Sequence, residues 1–330
     1  MRLLVFNCHE AWVHQLGVLG CALDIVVGLK GHHVVGWDSR MRPLPLGART
    51  LTLAEALASD ARYDCIIAHN LTDLLDVKSL PGPRLLVVHS TYEGRLRSED
   101  ADVPLDQLRA TIRKYLKLAG GHAVAVSKLK TGPDGFPQDV VNAGVDLADY
   151  LPHGGDQAAG LRVVNQIGQK RDVLLWDFYE AAFDGLPVTL VGHNPDVPGV
   201  EPARDWDDLK AILARHRFFV HTADPRYEDG FNMAMLEAMA SGLPVIGNRH
   251  PTSPIRHGES GFLADSPQEL RGYAERLLAE PDLARQMGAA ARELVARRFP
   301  LSQFGKAMRR AINTAQRRWR KSQGRRRAAA

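Results

Sequence analysis

Short runs rich in Leu, Val, Ile and Phe alternate along this chain with stretches whose apolar positions recur at helical spacing. Residues 3–6, 34–37, 65–68, 85–89, 123–127 and 140–142 read as strands, and 16–29, 53–58 and 105–118 as amphipathic helices. The pattern breaks at 151–160 (LPHGGDQAAG), where Pro, Gly and small polar residues predict an interdomain linker. It restarts with strands at 162–165, 188–192, 218–221 and 245–247, and helices at 172–183, 207–215 and 232–241. After a last short strand at 262–264 the chain turns helical, over 267–279, 283–298 and 301–318. Strand–helix alternation predicts parallel sheets covered by helices on both faces. The expectation is an α/β protein of two doubly wound, Rossmann-like domains, 1–153 and 154–300. A helix over 301–321 would pack back toward the first domain, and a disordered basic tail would follow over 322–330. Ligands of such sheets bind at the carboxyl ends of the strands, which places a cleft between the domains.

Composition narrows the class. With 330 residues, 45% apolar and 24% charged, the chain is of ordinary globular make-up, which excludes disordered, collagen-like and coiled-coil proteins. Its length suits two domains, each able to bury a core without disulfides or metals. The net charge of +4 and pI near 9.0 suggest a nucleic-acid or membrane-surface protein until the charge is located. Residues 317–330 (RRWRKSQGRRRAAA) hold seven Lys and Arg and no acid, which leaves the preceding 316 residues at −3. The basic end, with Trp319 in it, suits contact with an anionic membrane; the mildly acidic body argues against a nucleic-acid partner. The three cysteines, Cys8, Cys21 and Cys65, form no CxxC pair, as expected of a reducing compartment. The first apolar run is too short for a signal peptide, and no window approaches the ~18–20 apolar residues of a membrane span. A cytoplasmic protein is expected, with peripheral contact at the inner membrane face open to it.

The most informative stretch is 226–264, RYEDGFNMAMLEAMASGLPVIGNRHPTSPIRHGESGFLA. Asp229-Gly230-Phe231 ends a loop. The helix formers from Asn232 to Ser241 follow, and Gly242 and Pro244 stop the helix. A helix starting near Asn232 turns its N–H groups and positive dipole end toward the strand ends, a ready site for a diphosphate. Gly230 lets a ligand approach the backbone closely. Glu237, on the second turn, can accept hydrogen bonds from two vicinal hydroxyls such as those of a ribose. Asp229 can accept from a hydroxyl beyond the phosphates. An isolated Asp and Glu at this spacing would more often be a helix cap and a solvated acid. The surrounding loop-helix-Gly-Pro-strand frame makes the ligand role the better account.

This stretch resembles the retaining nucleotide-sugar glycosyltransferases of the family-4 type, which have the GT-B fold. The family pattern E-G-F-G-x4-E-A-M-A-x-G-x-P-V, then G-x-x-G-F-L, is matched by Asp229 to Val245 and by Gly258 to Leu263. The resemblance implies that Glu237 contacts the donor ribose, while Asp229, Gly230 and the backbone of Phe231, Asn232 and Met233 hold the donor sugar and diphosphate. The chain departs from the pattern in having Asp229 where the family has Glu, with Glu228 as an alternative register, and Asn232 where it has Gly. Asn165 to Asp172 (NQIGQKRD) resembles the family's G-R-L…K-G segment, whose Arg and Lys neutralise the leaving diphosphate. Lys170 matches the Lys, Gln166 stands at the Arg position, and Arg171 is a candidate to compensate. Val141 to Asp146 (VNAGVD) resembles the family's N-G-V-D turn closing the first domain. His89 matches a His that faces the acceptor and donor sugar. Residues 1–80 resemble the family poorly.

The resemblance implies a metal-independent enzyme that moves a sugar from a nucleoside-diphosphate-sugar donor to a hydroxyl acceptor, a glycan or lipid-linked glycan, with retention. A sugar-nucleotide epimerase or hydrolase, or a non-catalytic nucleotide-sugar-binding regulator, would carry the same donor site. Asp205-Trp206-Asp207 resembles a metal-binding D-x-D but stands where a helix cap is expected. The thirteen histidines show no H-E-x-x-H and no Cys/His cluster in their spacing, so neither metal nor cofactor is expected. Met233, Met235 and Met239 are expected to pack their helix.

Overall fold

A computed structural model describes residues 1–29, 35–99, 101–132 and 135–329, with the side chains of residues 326, 328 and 329 left aside. The chain forms two compact units: Met1–Tyr92, Asp102–Ala143 and Leu301–Ala330 make the first, and Glu93–Ala101 and Gly144–Pro300 the second.

In the first unit seven strands form one parallel sheet: β1 (Arg2–Phe6), β2 (Ala22–Val27), β3 (Ala48–Thr52), β4 (Cys65–Ala68), β5 (Arg84–Val88), β6 (His122–Ala125) and β7 (Asp139–Val140). Their spatial order is β3-β2-β1-β4-β5-β6-β7, with every pairing parallel. The helices α1 (Glu10–His14), α2 (Leu53–Ala58), α3 (Leu71–Asp76), α4 (Tyr92–Ser98) and α5 (Leu105–Ala119) lie between the strands in sequence, most of α4 belonging to the second unit. Strand residues are apolar on both faces because both faces are covered. Leu4, Phe6, Val26 and Ile66 pack with Ala56 and Val77, while Leu86 and Val88 pack with Ile112 and Leu116. Each such Leu, Ile or Phe contributes about 1.5–3 kcal/mol by leaving water.

Two sequence expectations fail here. The helix predicted over 16–29 is instead a 3-10 turn, Gln15–Leu19, followed by β2. Gly20 closes the turn in the left-handed conformation (φ 57°), and the β-branched Ile25, Val26 and Val27 then suit a buried strand better than a helix. The strand predicted at 34–37 lies outside the described residues at position 34, and 35–37 is irregular.

In the second unit β8 (Gln157–Val163), β9 (Val188–Val191), β10 (His216–Val220), β11 (Val245–Asn248) and β12 (Gly261–Ala264) form a parallel sheet of order β12-β11-β10-β8-β9. The helices are α6 (Trp176–Phe183), α7 (Trp206–Arg215), α8 (Met233–Ser241), α9 (Pro267–Ala279) and α10 (Pro281–Arg298). The expected linker at 151–160 already contains the start of β8. Its small residues are packing devices there, since a Cβ on Gly160 would stand 2.4 Å from the ring of Phe218. Asp205 caps α7 by accepting from the Asp208 N–H at 2.7 Å, the role its place before the helix predicted.

The last helix, α11 (Leu301–Ala329), belongs to the first unit. Phe304, Met308, Ile312 and Ala315, one helical turn apart, are buried, with Phe304 edge-on to Trp12 at 5.8 Å. The helix continues through 322–329, where a disordered tail was expected, because Arg, Lys, Gln and Ala sustain a helix that has already been nucleated. Among the described residues no helix is long and apolar enough to cross a membrane.

Candidate functional site

In the second sheet the chain runs outward from β8 to β9 and then resumes at β10 on the other side of β8. Strand order reverses between β8 and β10, and open parallel sheets bind ligands just beyond the strand ends at such a reversal. The segments leaving these two strands are 164–175 and 221–232, which hold nearly all the candidate donor-site residues.

The segment after β10 is tied down by its neighbours. Asn248, at the end of β11, exchanges hydrogen bonds with the Ala223 backbone in both directions at 2.9 Å. Thr222 donates to the Leu174 carbonyl at 2.6 Å, and the Asp224 N–H donates to the Val173 carbonyl at 2.9 Å. His221 and His250 bond through Nε2 to the carbonyls of Asp229 (3.1 Å) and Glu228 (3.0 Å). Burial pushes His221 down to about 4 and lowers His250 as well, so both imidazoles are neutral at physiological pH and act as fixed props. The Gly230 N–H donates to Thr252 Oγ1 at 2.9 Å, and a Cβ on Gly230 would lie 2.7–2.8 Å from the His250 ring. No side chain fits there, so the backbone itself lines the site. Gly230, His221, Met235, Asn248, Ser253 and Ile255 are among the residues lining a small pocket against this loop.

Helix α8 begins as the sequence predicts. Asn232 is its N-cap, accepting from the Met235 N–H at 2.8 Å, and Gly242 ends it at φ 90°. The helix N-terminus, with its dipole, therefore follows directly on the Asp229-Gly230-Phe231 loop. Glu237 is 5% exposed and Asp229 1%, so neither is the solvated acid of the plainer account. Glu228 is half-buried, and its Oε1 accepts from the Asp229 N–H at 2.8 Å, which spends part of its capacity on shaping the loop. Met235 and Met239 are buried in the helix packing, Met233 only partly. Phe231 packs on Phe299, with ring centroids 5.4 Å apart.

From the other strand end, Lys170 closes a 3-10 turn and donates to the Asn165 carbonyl at 3.1 Å. Burial lowers its pKa, and the charge of Glu228 in the facing loop partly offsets this, so the two strand-end segments share one electrostatic environment. Gln166 is held in the left-handed region at φ 55°, with its N–H on the His193 carbonyl at 2.8 Å. A non-glycine residue there costs of order 1–3 kcal/mol and is characteristic of ligand sites. Arg171 is committed elsewhere: its guanidinium pairs with Asp177 at 2.7 Å and Glu180 at 2.8 Å on α6. Beside it Asp172 pairs with Arg97.

Sequence reasoning passed over Arg162. It sits in β8, is 3% exposed, donates to the Leu174 carbonyl at 3.0 Å, and stacks on Tyr179 and Trp176 at 4.4 and 5.5 Å. Burial pushes its pKa down to about 10, which leaves it charged. A cation placed so beneath the segment after β8 adds positive potential at the strand ends. An Arg inside an apolar run was the available signal.

His89 belongs to the first unit, one residue beyond β5. Its Nε2 is 2.8 Å from His69 Nδ1 and 3.9 Å from Cys8 Sγ, and the Trp12 ring stands nearly perpendicular to its own, with centroids 5.0 Å apart. Burial, with His69, His9 and Lys130 nearby, holds its pKa well below the usual imidazole value.

Residues 185–280 match the family model described as glycosyl transferases group 1. Over 97 residues the chain is 38% identical to N-acetyl-alpha-D-glucosaminyl L-malate synthase of Bacillus anthracis, covering 28% of this chain and 25% of that protein. It is 28% identical over 244 residues to D-inositol 3-phosphate glycosyltransferase of Thermobifida fusca, covering 60% of this chain and 53% of the other. The chain thus spans between about a quarter and a half of the length of these curated relatives. Sucrose-phosphate synthase from Thermosynechococcus elongatus superposes with a TM-score of 0.67 at 15% identity, over 95% of this chain and 98% of that one. HepE of Anabaena, solved in complex with UDP and glucose, superposes with a TM-score of 0.67 at 14% identity, over 95% and 99%.

Proposed function

The chain has the GT-B fold and matches the group 1 glycosyl transferase family over 185–280, and on that premise we propose that it moves a sugar from a nucleoside-diphosphate-sugar donor to a hydroxyl acceptor. The observation that carries this reading is the placing of Lys170 and the Glu228–Asn232 loop, with the N-terminus of α8, at the order reversal of the second sheet. Lys170 and the helix N-terminus bind the diphosphate, and Arg162 adds a deeper positive charge. Glu237 accepts hydrogen bonds from the donor ribose. Asp229, with the backbone of Gly230, Phe231, Asn232 and Met233, holds the donor sugar. Gln166 orients the phosphates through a strained, fixed backbone. Arg171, engaged with Asp177 and Glu180, has the smallest part.

Transfer breaks the bond between the anomeric carbon and the diphosphate oxygen and forms one to the acceptor oxygen, whose proton passes to the departing diphosphate. We propose that departure and attack share one face, which retains configuration and needs no enzymic nucleophile. Positioning and charge stabilisation by Lys170 and α8 then supply most of the rate, without a metal at the diphosphate. His89, neutral and fixed by His69 and Trp12, serves the acceptor side. A glycan or lipid-linked glycan is the proposed acceptor. The exposed Arg317, Arg318, Arg320 and Lys321 of α11 suit contact with anionic lipid where such an acceptor resides.

The test is a thermal-shift screen of UDP, GDP, ADP and TDP sugars, beginning with UDP-glucose, followed by mass analysis of products with and without glycan and lipid acceptors. Glu237→Ala is expected to weaken donor binding by about 1.5–3 kcal/mol, the loss of charged hydrogen bonds. An unchanged donor Kd in that variant would show that the site is misassigned. Donor consumption without acceptor would favour a hydrolase or epimerase.

A further inference from the structure

In the first sheet the order reverses between β1 and β4, so a second strand-end site lies there by the same rule. Cys8 and His9 follow β1, His69 follows β4, and His89 follows β5. One donor atom each of Cys8, His9 and His89 lies within 4.8 Å of the others. The linear spacing showed no such cluster, because 81 positions separate Cys8 from His89. We propose that Cys8, His9 and His89 bind a zinc-class divalent transition-metal ion, with the fourth position, toward His69, open to water or substrate.

The donors fit that class. A thiolate and two imidazoles suit zinc or cobalt(II), and they do not suit magnesium or calcium, which take oxygen. Bonds of about 2.0–2.3 Å place tetrahedral ligand atoms roughly 3.3–3.8 Å apart, so the 3.9 Å between Cys8 Sγ and His89 Nε2 needs little closure. The Trp12 ring stands nearly perpendicular to those of His69 and His89, with centroids 5.0 Å apart, and fixes the ring planes. The Trp12 N–H is shared between His9 Nδ1 and the His9 carbonyl, both at 3.2 Å, so the imidazole can turn to a metal while the N–H keeps an acceptor. Burial, with the negative charge of Asp73 and Glu10, keeps the Cys8 thiol protonated until a cation arrives to offset them, while His69, His9 and Lys130 lie on the side of His89. Asp73 also accepts from the His69 N–H at 2.8 Å and so orients the segment after β4. Binding converts the Cys8 thiol to a thiolate and releases one proton to solvent. With the ion bound, the metal takes the His89 Nε2 that otherwise pairs with His69 Nδ1 at 2.8 Å. The inference does not depend on the donor site of the second unit.

The experiment titrates the chelator-treated full-length protein with cobalt(II) and reads its absorption. One equivalent is expected to give the thiolate-to-cobalt charge-transfer band and the visible bands of four-coordinate cobalt, and zinc is expected to abolish both. Cys8→Ser removes the charge-transfer band, His9→Ala weakens cobalt binding by about tenfold or more, and Cys21→Ser changes neither. Circular dichroism melting establishes that each variant is folded, and His9→Ala decides the matter if Cys8→Ser does not fold. The proposal is overturned if no band saturates near one equivalent, if the band survives Cys8→Ser, or if folded His9→Ala binds cobalt as tightly as the parent.

Discussion

The loops leaving β8 and β10 in the second unit bring together a lysine, carboxylates and a helix N-terminus, whereas those leaving β1, β4 and β5 in the first bring together imidazoles and a thiol. Both sets stand where a parallel sheet reverses its order. They differ in how the chain assembles them. Asp229, Gly230, the cap Asn232 and Glu237 fall within nine residues, because the proposed phosphate site is one loop running into one helix. Cys8, His69 and His89 come from three separate strand ends, so only the sheet makes them neighbours. A site built from local backbone leaves a motif, and a site built from side chains across strands does not.

The largest expected effect tests the charged site. Lys170→Met should lower kcat by roughly 10²–10³-fold, as expected for a group stabilising a departing diphosphate, with donor Kd changed much less. Steady-state kinetics alongside donor binding would separate the two, and a weakened donor Kd with kcat unchanged would make Lys170 a ground-state anchor only.

Next comes acid stability, which engages both units. Burial holds His221 in the second unit and His122 in the first down to about 4, below the usual 6.5. A lowered imidazole pKa means that the unfolded chain takes up protons first as pH falls. Their contribution is therefore complete above about pH 6.5 and declines between there and about pH 4. Denaturant unfolding should show a loss of about 2 kcal/mol per imidazole between neutral pH and about pH 5. Either single variant, His221→Gln or His122→Gln, should flatten part of that slope. A slope unchanged in both would mean that these imidazoles titrate normally.

The smallest effect is expected at Arg171. Its ion pairs with Asp177 and Glu180 are half-exposed, so Arg171→Ala should change donor Kd by less than about threefold. A loss of donor affinity of about tenfold or more would mean that Arg171 leaves its acids to meet the diphosphate.

Much of this is legible before folding. The alternation of apolar runs marks ten of the twelve strands among the described residues, at least in part, and predicts the parallel sheets. The start of α8 at Asn232 and its end at Gly242 follow from capping chemistry. The failures have equally local causes. Residues 16–29 carry apolar positions compatible with a helix or a turn and strand, and Gly20 with the β-branched residues after it decides for the latter. β3 escaped notice because ARTLT is mostly exposed and carries only one buried apolar residue, Leu51. The extension of α11 past residue 321 was hidden by composition, since a run of arginines solvates as readily in a helix as in a coil.

By itself the sequence determined the α/β class, the loop and capped helix of the proposed donor site, and the concentration of positive charge at one end. Those depend on periodicity, capping and net charge, which act between residues near in the chain. Only the tertiary structure decided that Asp229 and Glu237 are buried, that Arg171 is spent on α6 while Lys170 shares its surroundings with Glu228, and that Arg162 lies charged beneath the segment after β8. It also made neighbours of Cys8, His9 and His89. Burial, electrostatic coupling and ligand sets depend on distances across the sheet, and those distances are set by strand order, which no local pattern encodes.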